Sequence, residues 1–137
     1  MSQMHGETTT DATSANGIEA AYRTAIAHTA GLLRESTTRL LAAADAAGFE
    51  SGLHSLALGA ELATHDALRI LGEGSRAPLA NGNRENGETD LEAGVRLLSE
   101  AGRALDRVPG ELPGVSGLVV AIADLLVEAG DAGRATR

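Results

Sequence analysis

Four residues of this sequence have the types and spacing of a metal site. Glu50, His54, Glu61 and His65 follow one another at steps of four, seven and four, which puts them on one side of a helix within about 60°. Imidazole nitrogen and carboxylate oxygen are the natural donors for zinc or iron. His54 and His65 are three turns apart, about 16 Å along the axis, so one ion cannot take both. Glu61 and His65 stand at i, i+4, whereas di-iron bundles pair glutamate and histidine at i, i+3. The stripe reads first as a solvated face with Glu–His pairing. A metal or small ligand held by His54, Glu61 and His65 is the alternative, and no cofactor is expected.

Other chemistry is sparse. The sequence has no Gly-x-Ser-x-Gly, no phosphate-cradling Gly-x-x-x-x-Gly-Lys and no His-Glu-x-x-His, so the expectation is a protein that is not an enzyme. His28 falls about 90° from the seam of its helix and reads as a boundary histidine. Asp124 interrupts an apolar run; it reads as part of a wet edge with Glu128, or alternatively as a buried partner for an arginine. Tyr22 reads as core.

The elements that position these residues are helices. The most apolar run is Leu118 to Ala129, LVVAIADLLVEA. Leu118, Ile122, Leu125 and Ala129 fall on one face, widened by Val119 and Leu126, while Val120 and Val127 point about 180° away. A helix apolar on two sides requires neighbours on two sides, so this run is expected to be the central helix of a bundle. Residues 1–16 are polar and aperiodic and read as a disordered tail. Asn16 with Glu19 predicts a capping box opening a helix over 17–47. Its inner face is Ile18, Tyr22, Ala25, Thr29, Leu32, Leu33, Ser36, Leu40, Ala43 and Ala47. Gly48, Phe49 and Ser51 predict a turn and cap before a second helix over 52–71, facing inward with Leu53, Leu56, Ala57, Ala60, Thr64, Ala67, Leu68 and Leu71.

Residues 72–88 read as a flexible polar linker. Thr89-Asp90-Leu91-Glu92 predicts a capping box for a third helix over 89–108, with Leu91, Gly94, Val95, Leu98, Gly102 and Leu105 inward. Pro109 stops it, and Ser116 caps a fourth helix over 116–130, leaving 131–137 as a frayed tail. The expected fold is an all-α four-helix bundle made of two antiparallel helical hairpins joined by that linker.

Composition narrows the function classes. The 137 residues carry a net charge of −8, which disfavours nucleic acid and anionic membrane surfaces. No run reaches the roughly 20 apolar residues of a membrane span, so no membrane insertion is expected. The amino terminus has neither a basic nor an apolar signal segment, which leaves a cytoplasmic location as the default and leaderless secretion open. One Phe, one Tyr and no Trp remove the usual aromatic anchors. With much of the apolar content in alanine, a core of four helices is thin. Leu58 and Leu62 on the second helix, like Val120 and Val127 on the fourth, lie off the inner faces. A second copy would bury them. The leading expectation is therefore a small helical interaction module that binds another protein or itself as a homodimer, through Val120, Val127, Leu58 and Leu62.

The turn GFESG, with Phe49 and Gly52 between two helices, resembles that of the WXG100 secreted helical hairpins. That family carries Trp-x-Gly in the turn and commonly a carboxy-terminal Tyr-x-x-x-Asp/Glu export signal. Here the turn has no Trp, its Gly lies one place later, and the only Tyr is Tyr22. An exported helical-hairpin effector, or its partner, is the third reading.

Overall fold

The computed structural model describes residues 20–48, 51–72 and 87–135. The amino-terminal tail with the Asn16 cap, Ile18, Phe49, Glu50, positions 73–86 of the linker and the last two residues lie outside the described residues. The described residues form four helices: α1 (Ala20–Ala47), α2 (Leu53–Leu71), α3 (Asp90–Leu105) and α4 (Val115–Ala135). The protein is an all-α four-helix bundle, and among the described residues no helix is long and apolar enough to cross a membrane.

α1 packs against both α2 and α3, and α4 closes the bundle by packing against the same two. The ends of each pair fix their directions. Asp45 of α1 reaches His54 at the start of α2, while Arg23 Nη1 donates to Leu71 O at its end, at 2.9 Å. Across the other side, Arg39 lies 3.8 Å from Asp90 at the start of α3. Both neighbours therefore run opposite to α1.

Local signals account for the helix ends. Thr89 Oγ1 accepts from Glu92 N at 3.1 Å and Thr89 N donates to Glu92 Oε1 at 2.9 Å, the reciprocal capping box that satisfies two otherwise orphaned donors. Ser51 Oγ accepts from Leu53 N at 3.2 Å and donates to Gly48 O at 2.8 Å, tying the α1–α2 turn to the first residue of α2.

Two boundaries differ from the sequence expectation at the carboxy-terminal end of their helices. α3 stops at Leu105 rather than 108, and its last turn tightens through Val108 N donating to Leu105 O at 2.9 Å. Pro109 cannot continue the ladder, and the residue before it avoids the α region. α4 begins at Val115, so Ser116 lies within the helix and is not its cap. It also runs through Gly130 to Ala135 instead of fraying after 130. Ala132 is buried and continues the spacing of Leu125 and Ala129, so the helix persists although Gly130 and Gly133 each carry a propensity cost.

The core is made of leucine, isoleucine and alanine, with Ile26, Leu33, Leu40, Leu56, Leu97, Leu98 and Ile122 among its largest side chains. α4 is not the centre of the bundle: α1 packs against the same two neighbours, and more extensively. Its buried set, Ile26, Thr29, Ala30, Gly31, Leu32, Leu33, Ser36, Leu40 and Ala44, covers a wider arc than one seam because it serves two neighbours. Tyr22 is only half-buried against the core, and Ala47, assigned inward by spacing, is exposed. On α3 the buried face is turned toward Leu97 and Ala101, leaving Leu91 and Val95 half-buried at its edge.

Candidate functional site

α4 has one seam filled and one seam open. Val115, Leu118, Ile122, Leu125, Ala129 and Ala132 alternate steps of three and four and are all buried, as a helix packed in a bundle requires. Ser116, Val120, Ala123, Val127 and Gly130 alternate the same steps on the other side. Val120 and Val127 are 58% and 67% exposed. The second set of neighbours expected around this helix is therefore not supplied by the described residues. Asp124 is exposed beside these valines, in keeping with a wet edge rather than a buried ion pair.

The α2–α4 contact explains why the open seam points outward. A Cβ built on Gly59 would come 2.5 Å from Leu125 Cδ2, so Leu125 sits directly on the α2 backbone. Val127 projects about 160° from Leu125 around α4, away from α2. On α2 itself, Leu58 and Leu62 are 57% and 55% exposed and lie about 160° from the buried Ala60. The structure thus gathers Val120 with Val127 and Leu58 with Leu62, but as two separate outer faces. Leu41, which spacing alone did not single out, is also exposed. It lies one turn before Asp45 on α1, as Leu58 lies one turn after His54 on α2, so the two extend one edge of that helix pair.

The histidine–glutamate stripe is not assembled into a ligand set. His54 Nε2 lies 3.3 Å from Asp45 Oδ1 on α1, while Glu61 and His65 are exposed. Among the described residues there is no group of three or more His, Cys, Asp or Glu side chains able to hold a metal ion. His28 is exposed at the rim of a shallow hollow of about 330 Å³ shared with Tyr22, Ala104 and Arg107.

A larger cleft adjoins the open seam of α4. About 530 Å³ in volume, it lies between α3 and α4, with Leu91, Val95, Leu126 and Ala129 among its walls and Ser99 and Arg103 on the α3 side. Leu91 and Val95 were read from spacing as core; what sequence could not supply was that α4 stands off from them. The cleft contrasts with the α1–α3 contact, where a Cβ on Gly94 would approach Leu40 Cδ2 to 2.6 Å and Ser36 Oγ donates to Gly94 O at 2.8 Å.

The electrostatics of the cleft rim are uneven. Arg96 is held between Glu88, at 2.8 Å from Nε, and Glu100, at 2.9 Å from Nη1. The hydrogen bonds with Glu88 and then Glu100 push its pKa further up, so it is a fixed cation inside a neutralised cluster. Arg103 is different. It donates to Ser99 Oγ at 3.4 Å and has no carboxylate partner among the described residues.

These features define a four-helix bundle with an apolar ridge and an adjoining cleft on one side, a class of architecture rather than a chemistry. Comparison with protein-family models, curated proteins and solved structures gave no significant match.

Proposed function

We propose that this protein is a small non-enzymatic helical interaction module that self-associates, a homodimer being the simplest closed form. The observation that carries this reading is the exposure of Leu58, Leu62, Val120 and Val127, each more than half accessible on helices whose opposite faces are fully used. Large aliphatic side chains at helical spacing, outside the core of a single chain, are the usual mark of a surface that a partner covers. With a net charge of −8 the partner is a protein and not nucleic acid. The test is the solution mass of the full-length chain by light scattering coupled to size exclusion, across a hundredfold range of concentration. A mass near twice the 13.9 kDa chain is expected at the upper end. A monomer at every concentration contradicts self-association.

A further inference from the structure

Resting on that self-association reading, we infer that the second copy docks on the α3–α4 side, the α4 ridge of each copy lying in the α3–α4 cleft of the other. Three features of that side are complementary to one another. The ridge supplies Val120 and Val127, and the cleft beside it supplies an apolar floor of Leu91, Val95, Leu126 and Ala129. A ridge and a groove side by side on one surface are what a two-fold interface needs, because each copy presents both halves.

Spacing around α4 then fixes which flanks meet. Moving round the helix from Leu126, at the cleft, one passes Gly130, Ala123 and Ser116, then Val127 and Val120, and finally Asp124. When the valines enter the partner's cleft, the small residues face the partner's α4 and allow the two helices to approach closely. Asp124, on the far side of the ridge, faces the partner's α3.

The axial levels agree. Within one chain a Cβ on Gly102 would lie 3.5 Å from Ile122 Cγ2, and Leu91 and Val95 share the cleft with Ala129 and Gly130. The two helices are antiparallel and their residue numbers sum to about 224 at any one level. A two-fold axis at Ala123 pairs antiparallel α4 helices, so that Val120 of one copy lies level with Leu126 of the other, inside its cleft, and Val127 level with Val119, at the end of the cleft. Asp124 lies level with residue 122 of the second copy and hence with its Arg103. Each copy thereby brings an exposed carboxylate to a cation that has no carboxylate partner among its own described residues. The opposite choice, a dimer through Leu58 and Leu62, offers no such match: Arg69 on that face is already paired with Asp66 at 2.9 Å.

The experiment is sedimentation equilibrium on full-length wild type and five variants, with circular dichroism confirming that each remains helical. V127E is expected to sediment as a monomer. R103E and D124R are each expected to raise the dimer dissociation constant about tenfold, two symmetry-related pairs being lost at once. The double variant R103E/D124R, which restores both pairs with reversed sign, is expected to return to within about threefold of wild type. L58E/L62E is expected to dimerise as wild type does. A dimer split by L58E/L62E and indifferent to V127E would leave self-association standing and overturn this interface. Failure of the charge swap to restore affinity would overturn it as well. A wild-type monomer at all concentrations would overturn both readings.

Discussion

The α1–α3 contact and the α3–α4 contact share one helix and are built in opposite ways. Against α1, α3 presents Gly94, whose missing side chain lets Leu40 press on its backbone and lets Ser36 satisfy a carbonyl across the interface. Against α4, the same helix leaves Leu91 and Val95 half-buried beside a cleft of about 530 Å³. The first contact is close at its middle and opens at its two ends into hollows of about 500 and 330 Å³, whereas the second opens along the flank of α4. An open groove next to exposed valines leaves room for a further chain, whereas the middle of the α1–α3 contact, at Gly94, leaves none. The comparison separates residues that hold the fold from residues the fold leaves available.

Substitutions can break or sharpen that separation. The largest effect is expected from Leu98→Ala, which empties a fully buried position shared by the α3 contacts; it should lower the unfolding free energy by about 3 kcal/mol in urea titration. Gly94→Val should cost about 2 kcal/mol by the same measurement, since its Cβ meets the fully buried Leu40 and the neighbour has no room to yield. Ser36→Ala should cost about 1 kcal/mol, removing the second, interhelical hydrogen bond to Gly94 O. Thr89→Ala should cost a similar amount, about 1 kcal/mol, through loss of the capping box. The smallest effect is expected from Leu62→Glu or Val120→Glu, within about 0.5 kcal/mol of wild type for folding of the dilute monomer. If Val120→Glu proved as damaging to the monomer as Leu98→Ala, the division between used and open faces would fail.

What the sequence disclosed follows the same division. The inner seam of α4 was readable from Leu118, Ile122, Leu125 and Ala129, because large side chains at regular steps leave one solution. The capping box at Thr89 and Glu92 was readable from residue types alone. α1 was harder. Its alanines and hydroxyls carry little contrast, and a helix with two neighbours buries an arc that blurs a single seam, so Ile26 and Ala44 were missed and Ala47 was misassigned. Periodicity also cannot say which apolar face finds a partner. It marks both sides of α4 as apolar and so predicts a central placement, whereas in the structure α4 shares its two neighbours with α1 and one of its apolar faces is exposed. The candidate surface was legible at Leu58, Leu62, Val120 and Val127. The cleft was not, since it arises from the distance between helices, and neither was the availability of Arg103.

The most direct measurement uses the absence of cysteine from the chain. Ala123→Cys places one thiol on the proposed two-fold axis, where two α4 helices meet through small residues; Leu58→Cys places one on the α2 face. Both proteins are oxidised at equal concentration and resolved without reductant. A covalent dimer formed efficiently by Ala123→Cys and only marginally by Leu58→Cys is the predicted result, because a disulfide needs Cα atoms about 4.4–6.8 Å apart. Equal yields, or a dimer from Leu58→Cys alone, would contradict the assignment of the open α4 face as the interface.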